Sequence, residues 1–171
     1  MSLLHAQVVS KPNVAGLFDR LVVKELPGRR GIQAWQAVLR AHATLVRQLD
    51  QELEKATGLA LADFDVLAQL AIAGGELRMT ELADRALISR SGMTRRVARL
   101  VEEGLVLRAN SAADARGVVV ALTDAGVGRL TRTAPVHARG IFELFVSRLD
   151  DQELAVLESA LKKVTLDCTF G

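Results

Sequence analysis

Residues 89–122 read SRSGMTRRVARLVEEGLVLRANSAADARGVVVAL, and this stretch decides the fold. Ser89 is a good helix N-cap and Gly104 a good helix terminator, so the first half predicts a helix between them. Two apolar runs, Leu105–Asn110 and Val118–Leu122, predict strands that are joined by a polar tip. A helix followed at once by a β-hairpin is typical of the winged helix-turn-helix motif.

The predicted helix has two chemically different faces on a helical wheel. The apolar face is made by Met93, Val97, Leu100 and Val101. The opposite face carries small, hydroxyl and guanidinium side chains, with two residues on its flanks: Ser91, Arg95, Ala98 and Arg99, flanked by Thr94 and Arg96. Small residues let a helix approach another surface closely, and arginine reaches base edges or phosphates. A merely soluble helix would more often carry Glu and Lys here.

Three helices are predicted before this stretch. Apolar residues at helical spacing indicate a long amphipathic helix over Gly31–Ala56, followed by Gly58 as its terminator. A second helix covers Leu61–Ala73, and Thr80 is the expected N-cap of a third. The buried side of the second helix is expected to hold Phe64, Leu67 and Leu70, with Val66 on the flank.

Two helices are predicted after the hairpin. Thr123 should cap the first, which continues to about Arg148 with a kink at Pro135. Asp150 and Glu153 have the spacing of a capping box and should begin the last helix.

These segments predict a mainly α-helical fold with a small β-hairpin wing, a winged helix-turn-helix whose terminal helices form a dimerisation domain. The predicted boundaries are an N-terminal arm or extra helix at 1–30, a dimerisation helix at 31–58, the winged helix-turn-helix lobe at 59–123 and C-terminal dimerisation helices at 124–171. A monomer would leave the wide apolar stripes of both ends in water, which favours a two-fold dimer. The alternative is that the stripes close into one monomeric bundle.

Composition narrows the class of protein. The chain has 171 residues, of which 50% are hydrophobic and 25% charged, so it can build a packed core. A single cysteine excludes an intramolecular disulfide and suits a reducing cytoplasm. No apolar run is long enough to predict a membrane-spanning helix, and no leader pattern predicts export. Residues 78–117 hold eight arginines and five acids. That balance suits a nucleic-acid surface, although a solvated surface is the alternative.

Several blocks of the sequence resemble the MarR (multiple antibiotic resistance regulator) family of transcription factors. The likeness is strong over residues 59–126. Its blocks match the family's second helix, third helix, recognition helix, wing and following helix, in this order: Leu61–Leu67, Met79–Asp84, Ser89–Arg95 with Leu100–Val106, Asp114–Val118, and Leu122–Gly126. Residues 1–30 match no motif of the family.

The resemblance implies a homodimeric regulator that binds a pseudo-palindromic operator in double-stranded DNA. It also implies repression that is relieved by a small aromatic or phenolic ligand, bound between the dimerisation helices and the DNA-binding lobe. The residues expected to contact DNA divide by role: bases are read by Ser91, Thr94 and Arg95, and phosphates are held by Arg90, Arg96 and Arg99.

The wing departs from the family's pattern. It commonly reads Asp-Arg-Arg in the family, whereas Ala115 replaces the first arginine here. Arg116 is expected to enter the minor groove, with Asp114 orienting it. One cation fewer should weaken binding and reduce its salt dependence slightly.

Other chemistry is sparse. No metal site is predicted, because no Cys or Glu stands at ligand spacing from His5, His42 or His137. No motif indicates a cofactor or an enzyme. Cys168 is expected to be a bystander thiol. Ligand contacts would come from Trp35, His42 and Asp65, although the first two have packing as their simpler explanation. Two alternatives remain: a winged-helix regulator without a small-molecule ligand, and a protein–protein interaction module whose Arg95 and Arg116 would be paired to acids.

Overall fold

The computed structural model describes residues 16–17, 21, 29–86, 88–110 and 117–165. The order of helices and strands confirms a mainly helical winged helix-turn-helix. The elements are α1 (Arg29–Thr57), α2 (Leu61–Ile72), β1 (Glu76–Arg78), α3 (Met79–Arg85), α4 (Arg90–Glu102), β2 (Val106–Asn110), β3 (Val118–Leu122), α5 (Asp124–Leu144), a 3₁₀ turn (Val146–Arg148) and α6 (Asp151–Thr165).

The chain divides into two compact units, residues 1–44 and 45–171. In the first unit, the structure describes the N-terminal part of α1, where apolar side chains such as Trp35 and Leu39 are about half exposed, at 56% and 48%. The second unit holds the rest of α1 and all later elements. Leu53 is the one buried residue of α1, so the amphipathic stripe predicted there is covered only near its end.

The hydrophobic core of the second unit lies among α2, α3, α4 and the sheet. Its fully buried side chains include Leu67, Leu82, Met93, Leu100 and Val120. The prediction for Val66 was wrong: it is fully buried, because α2 is covered on more than one side by α5, α3 and the sheet.

The three strands form an antiparallel sheet in the order β1-β3-β2. Val120 at the centre of β3 is opposite Leu77 of β1 and Arg108 of β2. The β2–β3 hairpin confirms the predicted wing strands. The predicted tip covers residues 111–117, of which 111–116, with Asp114, Ala115 and Arg116, lie outside the described residues.

Two predicted helix boundaries were wrong. Helix α3 begins at Met79, with Arg78 in extended backbone before it, so Thr80 is already inside the helix and caps nothing. The reason is that β1 runs directly into α3 and leaves no room for a separate cap. Helix α5 ends at Leu144, because Phe145 leaves helical geometry (φ −132°, ψ −63°), and a 3₁₀ turn follows.

The junction between β2 and α5 is tightly packed. The Thr123 hydroxyl caps α5 by accepting from Gly126 N at 3.0 Å, as predicted, and donates to Gly104 O at 2.7 Å. Thr123 N donates to Leu105 O at 3.2 Å. A Cβ on Gly126 would lie 2.1 Å from the same carbonyl oxygen, so only glycine fits.

Helix α6 begins with the predicted capping box. Asp150 N donates to Glu153 Oε2 at 3.0 Å, and Glu153 N donates to Asp150 Oδ1 at 2.8 Å. No residue of α6 is buried, and Val156 and Val164 are about 60% exposed or more, at 63% and 65%. The start of α6 is therefore ordered by local bonds and not by packing against the core.

Candidate nucleic-acid interface

Helix α4 is the predicted recognition helix, and its cap is built as the sequence indicated. Ser89 Oγ accepts from Gly92 N at 3.2 Å, which satisfies one backbone donor of the first turn. Met93, Val97 and Leu100 are buried in the core and hold the helix by its apolar face. Val101, predicted on the same face, is 38% exposed because it lies at the edge of that face.

The other face of α4 is open to solvent, as predicted. Ser91, Thr94 and Arg95 are exposed, and so is Ala98 between the arginines. The Thr94 hydroxyl donates to Arg90 O at 3.0 Å and leaves its lone pairs for an outside donor. A helix with this face can enter a major groove without moving large side chains aside.

The four arginines of α4 differ in their partners. Arg90 and Arg95 are exposed, and neither side chain has a hydrogen bond or ion pair with the described residues. Arg96 and Arg99 both pair with one carboxylate, that of Asp63 in the first turn of α2. Arg96 Nη1 lies 2.8 Å from Asp63 Oδ1, and Arg99 Nη2 donates to Asp63 Oδ2.

Two shallow cavities adjoin the recognition helix. One, of about 260 Å³, is lined by Gly92, Arg95, Arg96 and Arg99. The other, of about 360 Å³, joins α3, α4 and the wing; its lining includes Arg78, Thr94 and Arg108. Sequence reasoning had missed both Arg78 and Arg108. Arg108 could have been found, because it is the basic residue of a wing strand.

A second group of polar residues lies where α5 faces α2. Arg129, Thr133 and His137 are spaced four residues apart on α5, so they share one face. Within the described residues, Arg129 Nε, Thr133 Oγ1 and His137 Nδ1 are buried and have no hydrogen-bond partner. Thr133 is only 1% exposed. Buried polar atoms are nearly always satisfied in proteins, so three on one face indicate a place where an external molecule could bond.

His137 connects this face to α2. Its ring centroid lies 4.6 Å from that of Phe64. Burial lowers the pKa of His137, and the nearby Asp65 carboxylate partly offsets that effect. Burial raises the pKa of Asp65, and His137 and then Arg96 oppose the shift. Asp65 therefore lies close to two basic side chains from two helices, the His137 imidazole of α5 and the Arg96 guanidinium of α4.

The three predicted ligand residues are placed as follows. Trp35 and His42 are exposed on α1, and Asp65 is partly buried on α2 beside His137. The exposure of His42 within the chain is at odds with a buried core position. Sequence reasoning had missed Thr133 and Arg129, whose spacing of four residues on α5 was the available signal.

Two further observations concern metal binding and the membrane, in the part of the chain that the structure describes. There, no three His, Cys, Asp or Glu side chains come together as they would around a metal ion. Among the same residues, no helix is both long and apolar enough to cross a bilayer. His5 and Cys168 lie outside the described residues.

The known proteins to which this chain is similar are transcriptional regulators. A model described as MarR family matches residues 57–117. The HTH-type transcriptional regulator MhqR of Bacillus subtilis is 26% identical over 138 residues, which are 81% of this chain and 93% of MhqR. The crystal structure of Sco3205, a MarR family transcriptional regulator from Streptomyces coelicolor in complex with DNA, has a TM-score of 0.76 and 32% identity over 82% of this chain and 92% of its own. A mutant MarR from E. coli complexed with operator DNA has a TM-score of 0.70 and 28% identity over 78% and 94% of the two chains.

Proposed function

The chain belongs to the MarR family of transcriptional regulators, and on that premise we propose that it is a homodimeric, sequence-specific repressor that a small aromatic ligand releases from DNA. The observation that carries this proposal is the solvent-exposed face of α4, with its hydroxyl groups and with the guanidiniums of Arg90 and Arg95, which have no partner among the described residues. In the alternative of a protein-binding module, Arg95 would be paired to an acid. It has no such partner among the described residues, which favours DNA.

The proposed contacts follow from exposure and chemistry. Ser91, Thr94 and Arg95 read base edges in the major groove, where arginine bonds guanine through two parallel hydrogen bonds. Arg90 and Arg99 hold phosphates, which position the helix without reading sequence. Arg116 of the wing is proposed to enter the adjacent minor groove, oriented by Asp114, although both lie outside the described residues.

The homodimer is supported by the apolar side chains that a single chain leaves uncovered. On α6, Val156 and Val164 are largely exposed, and no residue of this helix is buried. On α1, Trp35 and Leu39 are about half exposed. Apolar stripes of this kind at both ends of a chain are typical of an interface with a second copy. Two recognition helices would then meet half-sites about 34 Å apart.

Ligand release is supported by the face of α5 on which Arg129, Thr133 and His137 each have a buried polar atom without a hydrogen-bond partner among the described residues. A phenolic acid could offer its carboxylate to Arg129 and its hydroxyl to Thr133, while its ring packs near Phe64 and His137. This face packs on α2, which carries Asp63 and Asp65. A ligand that binds here better in one orientation of α2 than in another would shift the DNA-binding lobe toward that orientation.

Three measurements test the proposal. Gel shifts use the DNA upstream of the protein's own gene against a scrambled duplex of equal length, and specific retardation is the expected result. Analytical ultracentrifugation should give twice the mass of one chain. A thermal-shift and gel-shift series with phenolic acids should find one that raises the Tm and releases the DNA; no shift in either assay across the series would favour a regulator without a small-molecule ligand.

A further inference from the structure

The buried carboxylate of Asp63 connects α2 to the recognition helix. It is 3% exposed, and its two oxygens pair separately with Arg96 and Arg99. Resting on the proposed DNA-binding function, we infer that Asp63 is a positioning residue for DNA recognition: it withdraws Arg96 from the phosphates and sets the orientation of α4.

Arg96 is held as an internal group. Its side chain is 27% exposed, against 50% for Arg99, and its Nε is buried without a partner among the described residues. A second carboxylate, Asp65, also lies close enough to interact with the Arg96 charge. Moving Arg96 to a phosphate would leave Asp63 buried with one half-exposed cation, and removing a partner from a buried ion pair is strongly unfavourable.

The two ion pairs of Asp63, with Arg96 and with Arg99, fix the rotation of α4 about its own axis. Arg96 and Arg99 are three residues apart, so they lie on neighbouring turns of one side of the helix. Because both are tied to one carboxylate, α4 cannot turn without stretching one of the two pairs. Arg95 is rotated by about 100° from Arg96, is exposed, and has no ion pair with the described residues. Asp63 thereby determines which guanidinium faces the bases and which is neutralised.

Salt dependence on scrambled DNA separates Arg96 from a true phosphate contact. Each phosphate contact contributes about 0.9 to the slope of log K against log salt concentration. Arg90→Gln is the matched control for Arg96→Gln, because it removes the same charge from an exposed position of the same helix. We expect Arg90→Gln to reduce the slope by about one and Arg96→Gln to leave it unchanged.

Specificity tests the positioning role of Asp63. In Asp63→Asn, loosening α4 should lower the ratio of operator to scrambled-DNA affinity by about tenfold, as misplacing one bidentate base contact would. Binding to scrambled DNA should be undiminished or stronger, because a guanidinium is released. Asp84→Asn, the same change at an exposed aspartate of α3, should alter neither affinity. If Asp63→Asn does not fold, Asp63→Glu, which keeps the charge and moves it by one methylene, should show the same loss of ratio.

The outcomes are distinct. A slope reduced equally by Arg96→Gln and Arg90→Gln would show that Arg96 holds a phosphate. That result would overturn the inference that Asp63 keeps Arg96 away from the phosphates. A lower Tm with an unchanged affinity ratio in both Asp63 variants would show a purely structural pair and overturn the positioning role. If the unmodified protein itself fails to distinguish operator from scrambled DNA, the proposed function fails, and this inference fails with it for a reason visible before any variant is made.

Discussion

Replacing Gly126 by alanine tests the junction that connects the wing to α5. The added Cβ would lie 2.1 Å from Leu105 O and 3.2 Å from Leu122 Cδ2. The carbonyl of Leu105 cannot easily swing away, because it accepts a hydrogen bond from Thr123 N. We therefore expect α5 to be pushed outward from the end of β3.

The magnitude follows from two opposing effects. Alanine in place of glycine inside a helix stabilises by about 1 kcal/mol through backbone entropy. Overpacking in a close-packed interior costs about 1–3 kcal/mol, and contacts well below van der Waals distance lie at the upper end or beyond. The sum predicts a net loss of about 2 kcal/mol, or about 4–8 °C in Tm for a chain of this size.

Gly128→Ala is the matched control two residues along the same helix. Its Cβ would meet only Arg132 Nη1, at 3.4 Å, and that atom is the end of a flexible side chain. The control should therefore raise the free energy of unfolding by up to about 1 kcal/mol. Urea unfolding of both variants at one fixed protein concentration supplies the measurement. Equal stability of Gly126→Ala and Gly128→Ala would refute the argument from the close contact.

Further predictions concern α4 and α5. Arg95→Ala should weaken operator binding by about 1–3 kcal/mol and relax one base position, and an equal loss on scrambled DNA would contradict base reading. Ser89→Ala should lower the free energy of unfolding by about 1 kcal/mol in urea titrations, whereas Ser89→Gly should cost only a few tenths. Thr133→Val should raise stability, since it replaces a buried hydroxyl that has no partner among the described residues, and should abolish any ligand response; lower stability would reveal a partner for that oxygen. Because burial lowers the pKa of His137, the unfolded chain binds more protons just below pH 6.5, so stability should fall on acidification through that range. His137→Gln should flatten this dependence in urea titrations between pH 7 and 5, and an unchanged profile would exclude His137 as its source.

The sequence was sufficient where the deciding interactions are local. The caps at Ser89, Thr123 and Asp150 each bond a backbone donor within three residues, so their signals can be read in a short window. Apolar periodicity likewise identified the buried face of α4. The failed cap at Thr80 shows the limit of such signals: a strand that continues directly into a helix overrides a good capping residue.

Contacts between distant parts of the chain were not predictable from the sequence. Asp63 precedes Arg96 by 33 residues and Arg99 by 36, and no spacing rule relates them. In the structure Ala60 occupies the N-cap of α2, and the Asp63 carboxylate pairs with two arginines of α4. The predicted list of phosphate contacts therefore treated Arg96 and Arg99 as equivalent to Arg90, because a helical wheel shows exposure and not the acids of another helix.

The capping box of α6 has a consequence for assembly in dilute solution. A 15-residue helix with no buried residue is only marginally stable in water, yet its first turn is already formed by the reciprocal bonds of Asp150 and Glu153. If the chain dimerises as proposed, this first turn is a preformed helix nucleus. Two chains that associate would then only have to extend the helix and would not have to form it from a disordered segment. Subunit exchange would then be fast, and the helicity of this segment would follow the cellular copy number of the regulator.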